Sequence, residues 1–272
     1  RVDEFDFLMI ASGLHESPCL PKVEGQEQFE GVIAHSSSFR LNDDRFKNKR
    51  VITVGNSLSG ADISSNLVGH AASVLNIFTR PYLIVPRLRK DEVKKENRKP
   101  NEKCFNILPF ELYALTRKEL REIGQDFVKL KEFKIKIGKA MNAEQCDREK
   151  SVPELFYDLD NDEPELRQSI SDNYYPFVKQ NKIQVKKTSI RKFEKNGVQL
   201  DNDEFVKCDA VLFCTGYNAA FPTYFKQEIL DKLKFNKNYN KFPYLLYKST
   251  FHPDLENLAM IIQHEGLFLA GG

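Results

Sequence analysis

One segment constrains this chain more than any other: Arg50-Val-Ile-Thr-Val-Gly-Asn-Ser-Leu-Ser-Gly-Ala-Asp-Ile-Ser64. It reads as a strand, a tight turn of small residues and the start of a helix. Val51, Ile52 and Val54 suit a strand buried on both faces. Gly55 permits a sharp turn, and Gly60 lets the helix come close to the strand. The amides from Ser57 to Gly60 then stand at a helix N-terminus, where they can cradle a pyrophosphate. This is the layout of a dinucleotide-binding βα turn, here spaced G-x-S-x-S-G, with Ser57 where a glycine is more usual. The competing interpretation is a strand–turn–helix that binds nothing.

The strand expected next, Ser73-Val-Leu-Asn-Ile-Phe-Thr-Arg80, ends on a cation. An acidic residue at such a position holds the ribose 2′-hydroxyl of NAD. Arg80 suits a 2′-phosphate, so NADP(H) is favoured over NAD(H), and Arg87 and Arg89 follow closely. Arg80 as a plain solvated strand end is the alternative.

Composition narrows the classes. The chain has 272 residues, 41% of them hydrophobic and 11% aromatic, enough for one large or two smaller globular domains. A net charge of +2 gives no general case for nucleic acid. No apolar run is long enough to cross a bilayer, and no signal peptide is evident. The five cysteines are scattered, without CxxC or zinc spacing, and read as reduced thiols. The chain starts on Arg1 and stops in an apolar run, so a piece of a longer protein is expected.

Along the chain, residues 5–13 predict a strand ending in Ala11-Ser12-Gly13, and 14–49 are turn-rich. Residues 86–103 carry eight Lys or Arg and four Asp or Glu, a solvated loop or, less favoured, a phosphate-binding patch. Leucines, isoleucines and phenylalanines at helical spacing predict helices over 110–145. Another helix is expected over 163–180, followed by a turn at Pro176. Asn196-Gly197 lies between runs of period two and predicts a hairpin. Asp209-Ala-Val-Leu-Phe-Cys214 predicts a second fully buried strand.

Three segments together resemble the flavin-containing monooxygenases. Phe29, Gly31, His35 and Phe39 fit the pattern F-x-G-x-x-x-H-x-x-x-[YF]. Gly55-Asn56-Ser57-Leu58-Ser59-Gly60 is similar to that family's NADPH turn. Thr215-Gly216-Tyr217, followed by Phe221-Pro222, resembles its second interdomain linker, and Ala11-Ser12-Gly13 the first. The resemblance implies an α/β fold on a two-dinucleotide-binding-domain plan. Residues 1–45 would be a remnant of an FAD-binding domain whose own GxGxxG half lies upstream. Residues 46–215 would be an inserted Rossmann-like NADPH domain with a helical insert at about 86–180, and 216–272 a return segment to the FAD domain. Gln263-His264-Glu265 departs from the pattern expected in that return.

The activity so implied uses NADPH and FAD to pass one atom of O₂ to a nitrogen or sulfur nucleophile through a C4a-hydroperoxyflavin. No residue is assigned acid–base work, because the flavin carries the chemistry. Gly55, Asn56, Ser57, Leu58, Ser59, Gly60 and Arg80 would bind the nicotinamide cofactor. Phe29, Gly31, His35 and Phe39 would be structure near the domain crossing, with His35 a satisfied hydrogen-bond donor. Gly13 and Gly216 would serve linker geometry, and Tyr217 packing. Cys214 reads as core. The implied partners are a small nucleophilic substrate and O₂, in a cytoplasmic protein, with endoplasmic reticulum association and a homodimer left open by the resemblance. Two alternatives stay open: a catalytically incomplete NADP(H)-binding protein, and a Baeyer–Villiger type monooxygenase. The latter's pattern ends in Trp, and this chain has Phe39 there and no Trp. A pyridine-nucleotide disulfide reductase is disfavoured, since no redox cysteine pair is visible.

Overall fold

The run Ala210-Val-Leu-Phe213 is buried at every position, as a central strand of a parallel sheet covered on both faces must be. In the computed structural model it is the second strand of five. The structure describes residues 4–11, 15, 17–85, 151–156, 168–218, 225–233, 247, 250–252 and 254–260. The expected charged loop at 86–103, with Arg87 and Arg89, and the expected helices over 110–145 lie outside them. The chain divides into two units: Arg1–Cys19 with Gly216–Gly272, and Leu20–Thr215. Residues 20–45, assigned by sequence to the outer segment, therefore fall in the second unit.

In chain order, the first unit opens with β1 (Leu8–Ile10) and β2 (Ser17–Pro18). The second unit holds β3 (Val32–His35), β4 (Arg50–Val54), α1 (Leu58–Leu67), β5 (Ser73–Phe78) and β6 (Leu83–Val85). It continues with β7 (Gln168–Ile170), α2 (Tyr174–Lys179), β8 (Gln184–Lys187), β9 (Ile190–Glu194), β10 (Gly197–Leu200), β11 (Phe205–Lys207) and β12 (Ala210–Phe213). The first unit resumes with β13 (Tyr217–Asn218), α3 (Gln227–Lys232), β14 (Phe251–His252) and β15 (Leu255–Met260).

The sheet of the second unit has the order β3-β12-β4-β5-β8, with every neighbouring pair parallel. Side chains alternate across it, as strand geometry requires. Val51, Val74, Ala210 and Leu212 join one core with Ala61, Ile63 and Leu67 of α1 and Tyr174 and Val178 of α2. Ile52, Leu75, Ile77, Val211 and Phe213 join the other, with Phe193 of β9 and Val198 and Leu200 of β10. The second face is closed by the antiparallel sheet β11-β10-β9; the hairpin expected at Asn196-Gly197 is present, with its turn at Lys195-Asn196 and Gly197 opening β10. In the first unit β1 pairs in parallel with β15, and β15 in antiparallel with β14. Ile10, Leu230, Leu233, Leu258 and Met260 form its core.

Two local expectations need correction. Among the described residues the strand expected over 5–13 covers Leu8–Ile10, and Phe5, Phe7, Leu8 and Met9 are exposed. Of the helix expected over 163–180, residues 163–167 lie outside the described set, and the described part is a strand, β7, parallel to β6, followed by the short helix α2. Pro176 does not end that helix. It sits in the first turn, where a backbone N–H has no intrahelical acceptor and none is lost. Among the described residues no helix is long and apolar enough to cross a membrane.

The N-terminal edge of the sheet is held by one carboxylate. Asp209 accepts from the Arg50 backbone N–H (2.8 Å), Nε (2.9 Å) and an Nη (2.6 Å). Its own N–H donates to the Arg50 carbonyl (2.9 Å), and its carbonyl accepts from Val32 N–H (3.0 Å). Strands β3, β4 and β12 thus start in register around it. The Arg50 guanidinium holds the Asp209 carboxyl down at about 2, against an ordinary 3.8. A carboxyl depressed in the fold stabilises it above its unfolded value, and that stabilisation is lost as pH falls through the folded value. Asp209→Asn should lower the melting temperature at neutral pH. Thermal melts across pH should show the gap to wild type narrowing as pH falls from 3.8 towards about 2.

Candidate functional site

Strand β4 ends at Val54, and the chain turns at Gly55 with φ of +111°. A side chain is strained in that conformation, and a Cβ there would lie 2.5 Å from the Cys214 carbonyl oxygen. A Cβ on Gly60 would overlap the Gly55 carbonyl. Both glycines are thus required by the space, as the sequence led us to expect. Gly55 N–H donates to the Ile77 carbonyl (2.8 Å) and Cys214 N–H to the Val54 carbonyl (2.8 Å). The turn therefore sits between the carboxyl ends of β12 and β5. The chain leaves β4 towards β5 and β8, and returns to lay β12 on β4's other side. A crevice at such a reversal of strand order is where open α/β sheets bind ligands.

Helix α1 begins at once. Its N-cap, Ser57, makes no side-chain capping bond, and the first amide to reach back along the helix is Ala61 N–H, to the Ser57 carbonyl (2.9 Å). The amides of Leu58, Ser59 and Gly60 precede it, at the positive end of the helix dipole. Ser57 and Ser59 are half-buried, and the Leu58 side chain is exposed. No acidic side chain stands in the first turn of α1. This is an anion-binding geometry, and its depth is set by Gly60, Ala61 and Ser64, small residues that pack against the sheet. Arg80 lies two residues past the end of β5, exposed.

Asn56 departs from its neighbours. It is 2% exposed, and its side chain is turned inward. Nδ2 donates to Asn76 Oδ1 (3.1 Å) and Tyr174 Oη (2.9 Å), and Oδ1 accepts from Tyr82 N–H (3.2 Å). Tyr174 Oη donates to Asn76 Oδ1 (2.6 Å). Asn76 Nδ2 in turn donates to the Gly55 carbonyl (2.8 Å), the Thr53 carbonyl (3.1 Å) and Thr53 Oγ1 (3.0 Å). Thr53 Oγ1 and Ser64 Oγ share a hydrogen bond of 2.7 Å. A buried polar cluster thus underlies the turn. Asn76, Tyr174, Thr53 and Ser64 were not singled out from sequence. The one available signal was an amide in the middle of an apolar strand, Val74-Leu-Asn-Ile-Phe78.

The Phe29–Phe39 segment has structural work of its own. Phe29 packs edge-on against Phe193, with centroids 5.3 Å apart. A Cβ on Gly31 would overlap the Asp209 carbonyl and the Phe29 ring. His35 ends β3, pairs in register with Phe213 and is 4% exposed. Its Nδ1 accepts from Ser37 N–H (3.1 Å), capping the helical turn Ser36–Ser38. At this nitrogen the ring is therefore an acceptor. Phe39 leans on the fully buried Phe46, with centroids 5.9 Å apart.

Of the linker residues, Ser12, Gly13, Phe221 and Pro222 lie outside the described set, and Ala11 is exposed. Gly216 has φ of +76°, and its carbonyl accepts from Cys19 N–H (3.0 Å). Tyr217 packs against His15 with ring centroids 4.8 Å apart, and β13 pairs with β2. Thr215 is exposed. Burial pushes the Cys214 thiol up to about 12, so it is protonated at neutral pH and inert beside the turn.

Gly60→Ala forces the helix off the turn. We expect it to cost about 1–3 kcal/mol, the range for overpacking a close contact, read as a lower urea midpoint with unchanged slope.

Comparison with known proteins bears on the fold and on the family the chain resembles. Residues 1–96 match the model of the flavin-binding monooxygenase-like family. Dimethylaniline monooxygenase (N-oxide-forming) 4 of Mus musculus is 27% identical over 263 residues, covering 95% of this chain and 40% of that protein. 4-Hydroxybenzoate brominase (decarboxylating) of Marinomonas mediterranea is 26% identical over 225 residues, covering 80% of this chain and 40% of that one. The chain thus spans about 40% of the length of these curated relatives. Among solved structures, cyclohexanone monooxygenase from Rhodococcus sp. Phi1 bound to NADP+ superposes with a TM-score of 0.61 at 14% identity. That match covers 94% of this chain and 55% of the other. It shows a shared α/β fold, that of two-dinucleotide-binding-domain flavoproteins. The glycine turn and the Phe29–Phe39 pattern both lie inside the matched residues, and over that span the chain is similar to the flavin-binding monooxygenase-like family.

Proposed function

We propose that this chain carries the NADPH site of a flavin-dependent monooxygenase that oxygenates a nitrogen or sulfur nucleophile. The observation that carries this reading is the start of α1. Its first amides have no side-chain cap, and they stand over a glycine turn at the carboxyl ends of β12, β4 and β5. A pyrophosphate there would meet the amides of Leu58, Ser59 and Gly60 and the dipole of a ten-residue helix. Gly55 and Gly60 would allow it to approach the backbone, and Ser57 and Ser59 would line the approach. Arg80, at the end of the next strand, suits the 2′-phosphate by charge.

When bound, the cofactors of this reading supply hydride and oxygen activation; the protein supplies binding, orientation and a dry site. In this reading the residues named here act on the nicotinamide nucleotide. The same start of α1 favours one second reading, an NADP(H)-binding protein that does not itself oxygenate. The visible absorbance of the purified protein distinguishes the two, since only the first calls for flavin. Phe39 in the last motif position, in a chain without Trp, supports nitrogen or sulfur oxygenation over the Baeyer–Villiger type.

Calorimetric titration tests the reading. Wild type should bind NADPH more tightly than NADH by about 10- to 100-fold, the worth of a charge-assisted contact to the extra phosphate. Arg80→Ala should remove most of that preference while leaving NADH affinity close to wild type. Equal affinity for both nucleotides, or binding of neither, would overturn it.

A further inference from the structure

Arg80 can discriminate between nucleotides only if it stands at a fixed distance from the turn that holds the pyrophosphate. The structure supplies the link that fixes this distance. From β5 the chain runs through Thr79, Arg80 and Pro81 to Tyr82. At the near end, the Phe78 carbonyl accepts from Thr188 N–H (2.9 Å), and Phe78 is buried. At the far end, Tyr82 N–H donates to Asn56 Oδ1 (3.2 Å). Pro81, buried between them, has a locked φ and stiffens the span. Asn56 is itself a member of the glycine turn. One side chain therefore bonds the segment carrying Arg80 to the turn carrying the helix amides.

Asn56 is in turn immobilised. Its Nδ2 is held by Asn76 and by the hydroxyl of Tyr174, on α2, so its amide cannot rotate without breaking two buried hydrogen bonds. Tyr174 is fully buried. Asn76 holds the Gly55 carbonyl from below. A buried amide with its bonds met on both ends is costly to disturb, because any group left unpaired pays its full desolvation.

We infer that Asn56 is a specificity-determining positioning residue. It sets where Arg80 stands relative to the glycine turn, so preference for a 2′-phosphorylated nucleotide depends on a buried side chain that does not itself reach the nucleotide. Tyr174 acts one step further back, by holding the Asn56 amide. The inference rests on the nucleotide site proposed above, and it adds residues and a mechanism that the turn motif does not contain.

The separating readout is the ratio of NADH to NADPH dissociation constants, measured by calorimetry on variants shown by circular dichroism to be folded. Asn56→Ala should weaken NADPH by about tenfold, in line with loss of a charged contact. It should change NADH by no more than about twofold, so the ratio falls towards that of Arg80→Ala. Tyr174→Phe, which keeps the Asn56–Tyr82 bond but removes one of the two bonds that hold the Asn56 amide, should lower the ratio by about threefold, and it serves if Asn56→Ala does not fold. Hydrogen exchange without nucleotide gives a second reading. The Tyr82 amide should lose protection in Asn56→Ala, with β5 unchanged. Equal weakening of both nucleotides, or an unchanged ratio in a folded variant, would overturn the inference and leave a merely structural cluster. Absence of any preference in wild type would instead remove the nucleotide reading on which it stands.

Discussion

The amide of Asn76 is the interaction on which the candidate site depends. It sits in the middle of a parallel strand, fully buried, where an unpaired amide would cost several kcal/mol on transfer from water. It is tolerated because the turn of the next strand supplies acceptors at Gly55 and Thr53, and the loop and α2 supply donors at Asn56 and Tyr174. The exchange works in both directions. The turn satisfies the amide, and the amide fixes the Gly55 carbonyl, against which Gly60 brings the helix. The depth of the anion-binding corner therefore follows from one polar residue placed where apolar ones surround it.

The two ends of the sheet divide the labour. At the N-terminal edge Asp209 and Arg50 align three strands by charge-assisted bonds in a half-exposed position. At the C-terminal edge the bonds are neutral, buried and arranged around the turn. Strand alignment and the proposed nucleotide corner thus rest on different chemistry at opposite ends of the same strands, in keeping with folds whose sites lie at the carboxyl ends. The Phe29–Phe39 pattern belongs to the supporting side. Its aromatic residues pack, its glycine admits the Asp209 carbonyl, and its histidine caps a turn.

Much of this was readable from sequence where a local rule applied. Alternation and continuous apolar runs marked β4 and β12, Asn196-Gly197 marked the hairpin, and the small residues marked the strand–turn–helix. What was not readable depended on distant partners. Tyr174 meets Asn56 across 118 positions of chain, and no period or turn rule links them. Strand β7 has three residues and, among the described residues, pairs with β6 alone, too short for a periodic signal. Pro176 looked like a stop because its place in the helix could not be known before the helix start was. The division at Cys19 and Leu20, rather than near 45, reflects Glu24 and Val23 packing beside β9, a tertiary contact.

The central claim is that the corner formed by Gly55–Gly60 and Arg80 holds a phosphorylated nicotinamide nucleotide. Amide hydrogen exchange with and without NADPH tests it most directly. We expect protection to rise at the amides of Leu58, Ser59 and Gly60 and in the segment from Thr79 to Tyr82, and to stay unchanged in the hairpin β9–β10. Protection appearing only elsewhere, with the start of α1 unaffected at saturating nucleotide, would contradict the claim.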